Sequence, residues 1–163
     1  MKHLKNFNES MSKEDLQDFC ESALAYLIDE GFTINIYTHG DPRSGLPKGE
    51  SNIWLQKNKE FFKWDEVKDY YIPFLQLLSN RYDIGGFDHV DETNVRFRYR
   101  HKKEYSFVNL TKNFSYARVI NDNIFDSEGY WKDHIFYKWI ADPELISIGL
   151  NIKEKSNQIK LEI

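Results

Sequence analysis

The chain of 163 residues carries a formal net charge of −4, from 22 Lys and Arg against 26 Asp and Glu. Apolar residues make up 40% of it and aromatic residues 16%, which excludes a disordered chain and predicts one domain with a sizeable core. The negative charge excludes a general attraction to nucleic acid or anionic membranes, so any such binding must come from a local patch.

Cysteine usage and hydropathy indicate the cellular compartment. The single cysteine, Cys20, cannot form an internal disulfide, and no apolar run has the length of a signal sequence or a membrane span. We therefore expect a cytoplasmic protein with no membrane partner. Cys20 lies in a helical pattern beside Phe19 and Leu24, with no neighbouring cation to favour the thiolate, so a passive, partly buried thiol is predicted.

The N-terminal part begins with a polar segment and continues as a helix. Residues 1–11 show no periodicity and are predicted to be a flexible leader. Ser12, followed by Glu14 and Asp15, is typical of a helix N-cap with an acidic first turn. Apolar residues at three- and four-residue steps then extend this helix to about Gly31.

Two strands and a second helix follow. Alternating apolar and polar residues predict a half-buried strand at 32–37, and a second strand near 53–55 is expected to pair with it across a loop. A second amphipathic helix is predicted from Asp65, as N-cap, to about Tyr82. Pro73 lies inside that pattern, which predicts either a later start or a kink.

The second half contains the clearest hairpin. Residues 95–99 and 105–110 are predicted to be two strands joined by a short turn. Beyond them, a further strand is predicted at 117–120, an aromatic-rich helix within 126–141, and a last strand at 146–152.

These elements predict an α+β fold of antiparallel hairpins packed with two to three amphipathic helices. The order is α-β-β-α-β-β followed by a C-terminal β/α/β extension, and neighbouring strands are joined by turns instead of crossover helices. No stretch rich in Pro, Gly or Ser divides the chain. We therefore expect a single domain over 12–152, with a polar tail at 153–163.

The most unusual feature of the sequence is a row of cations. Arg96, Arg98, Arg100 and Lys102 occupy alternate positions of a predicted strand, which places them on one face of the sheet. Arginine offers a planar fork of donors that matches phosphate and carboxylate oxygens, so the row is a candidate binding site. The alternative is a solvated sheet face whose charges also discourage pairing at an edge.

A second candidate binding segment is the glycine-rich loop at 40–49, which carries Arg43 and Lys48. A phosphate-binding P-loop needs Gly-Lys followed by Ser or Thr and a helix, whereas Lys48 stands between Pro47 and Gly49 and a strand follows. The alternatives are phosphate binding by another geometry and a long mobile hairpin loop.

No motif in the sequence indicates catalysis, a metal or a cofactor. His39 with Asp41 and Asp88 with His89 supply nitrogen and oxygen ligands, but no spacing typical of zinc or calcium sites is present. Dinucleotide and nucleophile-elbow motifs are also missing. We therefore assign no catalytic residue, metal or cofactor, and an enzyme would require these four side chains to converge in a pocket.

Three stretches resemble small proteins of large tailed bacteriophages. The opening Met1-Lys-His-Leu-Lys-Asn-Phe-Asn-Glu9 is similar to the short leader of many uncharacterised phage proteins. The stretches Leu24-Ala-Tyr-Leu-Ile-Asp-Glu-Gly31 and Phe62-Lys-Trp-Asp-Glu-Val-Lys-Asp69 also look like parts of small phage proteins of no assigned activity. The resemblance implies expression in an infected bacterium, and hence a virion component, a regulator of host processes or an inhibitor of host defence.

Three functional hypotheses follow. The first is a non-enzymatic binding protein that uses the cation row against an acidic surface of a host protein or against nucleic acid, in the host cytoplasm. The second is a minor virion or assembly protein, in keeping with the leader and the aromatic content. The third is a small metal-dependent or acid–base enzyme built on the two His-Asp pairs.

Overall fold

The structure is a computed structural model that describes residues 12–85, 95–103, 105–133, 135 and 138–155. The predicted leader, and the part of the predicted tail beyond residue 155, lie outside these residues. In chain order the elements are α1 (Lys13–Ala23), α2 (Ala25–Asp29), β1 (Phe32–Thr38), β2 (Glu50–Lys57), α3 (Trp64–Leu78), β3 (Tyr82–Ile84), β4 (Val95–Lys103), β5 (Ser106–Phe114), α4 (Tyr116–Ile120), β6 (Tyr130–Asp133), β7 (Lys138–Ala141) and β8 (Glu144–Glu154).

The main sheet is antiparallel and centred on β8. Its strand order is β1-β2-β8-β4-β5, and β3 pairs with the end of β8. One edge of β8 pairs with β2, while the other edge pairs with β4 over residues 144–150 and with β3 over residues 152–154. The strands β6 and β7 form a separate hairpin. The predicted α+β fold of antiparallel hairpins with a few helices is therefore confirmed.

The first helical segment starts where the sequence predicts. The Ser12 hydroxyl oxygen accepts a hydrogen bond from the backbone N–H of Asp15 at 3.1 Å, which caps α1. A turn at Leu24 separates α1 from α2, so the predicted helix is interrupted once. Gly31 follows with a φ of 98°, a left-handed conformation that glycine adopts without strain.

The helix α3 begins earlier than predicted and runs through its proline. Lys63, not Asp65, is the N-cap, and its backbone N–H donates to the Glu66 carboxylate at 2.8 Å. The predicted alternative in which this helix begins later than Asp65 is therefore wrong. Pro73 lies on the exposed side, where water can reach the carbonyl that a proline leaves without a donor. The helix ends at Leu78, before the predicted Tyr82, because Tyr82 starts β3.

The predicted C-terminal β/α/β extension is wrong in its first two elements. Residues 117–120 belong to α4, whose N-cap Ser115 accepts from the N–H of Arg118 at 3.3 Å. The segment 126–141 holds the β6–β7 hairpin instead of a helix. The Asp126 carboxylate accepts two backbone N–H groups in a turn, and burial then alternates along β6 with a period of two.

The last strand, β8, is longer than predicted and extends into the expected tail. Lys153 still pairs with Glu50 on one side and with Asp83 on the other. The 95–110 hairpin is confirmed, and both of its strands are longer than predicted. The three-residue strand β3 has no counterpart in the sequence prediction.

All four described helices lie on one side of the sheet, which we call the inner face. Trp64 of α3 contacts Phe97 of β4 at 5.4 Å between ring centroids, and the other helices pack against α3. Phe97 also contacts Phe114 and Trp131 edge to face.

The Cys20 thiol is fully buried, and burial raises its pKa to about 12, as expected of a passive thiol. No helix in the described part of the chain has the length and apolarity needed to cross a membrane.

Candidate binding face

The opposite side of the sheet, the outer face, carries one alternating set of side chains from each long strand. We assign side chains to this face from the strand register and from the burial of the alternate residues on the inner face. The outer face comprises Thr33, Asn35 and Tyr37 of β1, Asn52, Trp54 and Gln56 of β2, Ser147, Gly149 and Asn151 of β8, Arg96, Arg98, Arg100 and Lys102 of β4, and Phe107, Asn109, Thr111 and Asn113 of β5. It is a surface of amides, cations and aromatic rings.

Arg96 and Arg98 lie on a strand within the sheet, where Arg98 is exposed and Arg96 is half-buried. Their register partners are Gly149 and Ser147 of β8 on one side and Asn113 and Thr111 of β5 on the other. None of these neighbours is acidic. Within the described residues, no hydrogen bond or ion pair involves either guanidinium. Both cations are therefore available to a ligand.

Arg100 differs from its neighbours because partners inside the molecule hold it. Its guanidinium carbon lies 3.7 Å from the ring centroid of Phe107 and 4.4 Å from that of Phe61, and its Nε lies 3.2 Å from a Glu144 carboxylate oxygen. Stacking between two rings and an ion pair fix this side chain in place. The row of four predicted cations thus divides into one structural arginine and three cations that face solvent.

Phe61 reaches Arg100 because of a short pairing after β2. The backbones of Phe62 and Leu145 exchange two hydrogen bonds of 3.0 and 2.7 Å, and the Phe62 side chain is buried on the inner face. Adjacent side chains of extended backbone point to opposite faces, so Phe61 falls on the outer face. Beside it lies a cleft of about 400 Å³, whose lining includes Gln56, Asn109 and Ile146.

Trp54 lies near the middle of the outer face. A Cβ placed on Gly149 would come within 2.4 to 2.6 Å of three consecutive atoms of its six-membered ring. Three nearly equal distances mean that the ring lies face-on over Gly149. A residue with a side chain at position 149 would displace the indole, which explains a glycine in the central strand. Gly149 is also the register partner of Arg96, so the indole and this guanidinium flank the same residue.

Lys102 lies at one end of the outer face, beside two exposed aromatic rings. An open cavity of about 450 Å³ is lined by Lys63, Arg100, Lys102, Phe107 and Trp139, and also by Asp142 and Glu144. These two carboxylates pair with Lys63 and Arg100 and leave Lys102, among the described residues, as the cation without an acidic partner there. Trp139 is 59% exposed and Phe107 is 53% exposed. Exposure of large rings beside cations is typical of a binding surface.

The loop cations do not join this cluster. Arg43 and Lys48 lie in the β1–β2 loop, next to the end of the sheet where Thr38 pairs with Ser51. Lys102 belongs to the opposite end, because Arg96 stands across β8 from Trp54 and β4 runs away from the loop. The six predicted binding residues therefore form two separate groups, one in the β1–β2 loop and one that runs along β4 from the middle of the outer face at Arg96 to the opposite end at Lys102.

The predicted His-Asp groups have structural roles where they are described. The His39 Nδ1 lies 2.7 Å from the Leu46 carbonyl oxygen within the loop. Asp41 accepts from the Thr38 N–H and from Lys13, and these two contacts lower the pKa of its carboxyl. Asp88 and His89 lie outside the described residues. The described residues contain no group of three or more His, Cys, Asp or Glu that could hold a metal ion.

Sequence reasoning missed the aromatic part of this face. Trp139 lies in the segment for which an aromatic-rich helix is predicted, whereas in the structure it belongs to β7 and is exposed. Phe61 and Trp54 carry no period that distinguishes them from core residues. Comparison of the chain with models of protein families, with curated protein sequences and with solved structures gives no match. A functional assignment must therefore rest on the chemistry of the outer face.

Proposed function

We propose that this protein is a non-enzymatic binding protein whose outer face binds an anionic partner. The observation that carries the proposal is the pair Arg96 and Arg98, two guanidinium groups on one strand face that have no acidic neighbour in register. Like charges at this spacing repel each other, and a bound anion removes that cost. Each guanidinium also matches the oxygens of a carboxylate or phosphate.

The position of β4 argues against one alternative for these cations. Charged residues on edge strands prevent pairing with other chains, and the sequence allows that explanation. The described edges of the main sheet are β1 and β5, whereas β4 lies between β5 and β8. Prevention of pairing at a sheet edge therefore does not explain the charges of Arg96 and Arg98. A merely solvated face remains the competing explanation, and the following experiment separates the two.

The test compares two charge-reversal variants with the same change in net charge. Tagged wild-type protein, Arg96→Glu/Arg98→Glu and the matched Arg43→Glu/Lys48→Glu are used for affinity capture from bacterial lysate, with and without nuclease. We expect the outer-face variant to lose the captured partner and the loop variant to keep it, at similar thermal stability of all three. Equal capture by wild type and the outer-face variant would overturn the assignment.

We further propose that the partner belongs to a bacterial host, because residues 1–9 resemble a phage leader. On this proposal the protein is an accessory factor that acts on a host molecule. Mass spectrometry of purified phage particles tests the alternative of a minor virion or assembly protein. Stoichiometric presence in particles would favour that alternative over an accessory factor.

A further inference from the structure

Resting on the proposed function of the outer face, we propose that its anionic partner is single-stranded nucleic acid. On this proposal the phosphates contact Arg96, Arg98 and Lys102, and the bases stack on exposed aromatic rings. Proteins that bind single strands combine these two features, a cationic track and aromatic platforms. The inference rests on how the described residues place both on one side of the sheet.

Two aromatic rings of the outer face lie beside the cations, and a third, on the β6–β7 hairpin, borders one end of that face. Trp54 lies face-on over Gly149, one strand away from Arg96, and it remains half-buried, so part of its ring faces solvent. Phe107 stands in register with Lys102 and is 53% exposed. Trp139 borders the same cavity as Lys102 and is 59% exposed. A chain of acidic residues alone would use only the cations, whereas a nucleic acid uses both chemistries.

The spacing of the cations fits an extended strand. Residues at alternate positions of a β-strand are about 6.6 Å apart, a length comparable to the advance of an extended nucleic-acid backbone per nucleotide. Arg96 and Arg98 are separated by one such step, and Lys102 lies two steps further along. Arg100, between them, is held by Phe61, Phe107 and Glu144. The row therefore offers three cations in a line to the phosphates, with Arg100 fixed by its own contacts between Arg98 and Lys102.

The shape of the outer face disfavours duplex DNA. Five neighbouring strands span about 19 Å at a spacing of about 4.8 Å, which exceeds the roughly 12 Å width of the major groove. A two-stranded ribbon fits that groove, but a broad sheet does not. A single strand can instead lie along β4 and present its bases to the surface.

The amides of the outer face supply groups that recognise base edges. Asn52 and Asn151 are register partners, and the side-chain oxygens of both are buried without a hydrogen-bond partner in the described structure. Rotation of an amide brings its oxygen or its NH2 group towards the surface. Base edges carry both donors and acceptors that such amides can pair with.

The test measures binding of defined probes by fluorescence anisotropy. The probes are labelled single-stranded DNA and RNA of one mixed sequence, the corresponding DNA duplex, and a poly-glutamate peptide. We expect the single strands to bind more tightly than the duplex and the peptide. We also expect the logarithm of the association constant to fall linearly with the logarithm of salt concentration, because phosphate contacts release counterions.

Variants separate the two kinds of contact. Arg96→Glu/Arg98→Glu is expected to reduce affinity for single strands at least tenfold and to make the salt dependence shallower by about 1.4 in slope, from two lost phosphate contacts at about 0.7 each. Trp54→Ala and Trp139→Ala are expected to reduce affinity roughly 5- to 150-fold per stacked base, with an unchanged salt slope. The conservative Trp54→Phe should retain most of the affinity, and it serves as the variant that also keeps the ring packing over Gly149.

The outcomes distinguish this inference from the proposed function. Binding of poly-glutamate but not of single strands would overturn the inference and leave an anion-binding face. Equal binding of duplex and single strands, or unchanged affinity in both tryptophan variants, would also overturn it. Failure of every anionic probe, together with an unchanged lysate capture in the Arg96→Glu/Arg98→Glu variant, would overturn both proposals.

Discussion

The two faces of β4 belong to different environments, although their residues alternate along one strand. Phe97 and Tyr99 point to the inner face and are 0% and 1% exposed. Arg96 and Arg98 point to the outer face, where no described helix covers them. Burial on one side holds the fold together, while Arg96 and Arg98 on the other side make no hydrogen bond or ion pair within the described residues. Stability and binding should therefore respond to different residues of the same strand.

The largest expected effect is on the inner face. Phe97→Ala removes a fully buried ring that contacts Trp64, Phe114 and Trp131. We expect it to lower the free energy of unfolding by about 3–5 kcal/mol, as buried aromatic truncations do. Its neighbour Arg98→Ala should change that free energy by under about 0.5 kcal/mol. Urea unfolding of both variants measures the contrast, and similar losses would show that the two faces are not separable.

A smaller effect should distinguish arginines of the outer face from each other. Arg100→Lys keeps the charge but loses the planar group stacked between Phe61 and Phe107. We expect it to lower the free energy of unfolding by about 0.5–1 kcal/mol. Arg98→Lys, which disturbs no described contact, should leave it unchanged within the error of thermal unfolding. If both substitutions proved neutral, Arg100 would have no structural role.

The smallest effect concerns acid sensitivity at the β1–β2 loop. Lys13 and Thr38 lower the pKa of the Asp41 carboxyl in the folded protein. A depressed folded pKa contributes stability above the unfolded value of about 3.9, and this contribution is lost as pH falls through the lower folded value. Asp41→Asn should therefore unfold at a slightly lower temperature than wild type near neutral pH, and the two melting temperatures should converge in acid. A constant difference at every pH would contradict this origin.

Local sequence patterns predicted the elements whose signals are local. The cap at Ser12, the alternation in β1 and the 95–110 hairpin each follow from short-range periodicity. The aromatic residues of 126–141 fit either a helix or two short strands by local pattern, and the structure has two paired strands, the first of which follows a turn at Asp126. Three residues are too few for β3 to show a period.

The candidate site could be predicted only in part for the same reason. The cation row is visible in the sequence because its members alternate within nine residues of β4. The contact of Phe61 with Arg100 and the place of Trp54 over Gly149 join residues that are distant in the chain. Likewise, no local pattern indicates that β8 inserts between the two hairpins, since strand order depends on long-range packing.

The central position of β8 also has a consequence for biosynthesis. This strand leaves the ribosome after both the β1–β2 and β4–β5 hairpins, yet among the described strands it alone joins them. Because translation adds about 5–20 residues per second, the two hairpins are expected to expose apolar surface and unpaired strand edges for seconds before β8 is synthesised. Until residues 144–154 have been synthesised, Gly149, the register partner of both Trp54 and Arg96, is not present to hold these two residues on either side of β8. A chain truncated before β8 should therefore depend on chaperones, and it should lack the outer face altogether.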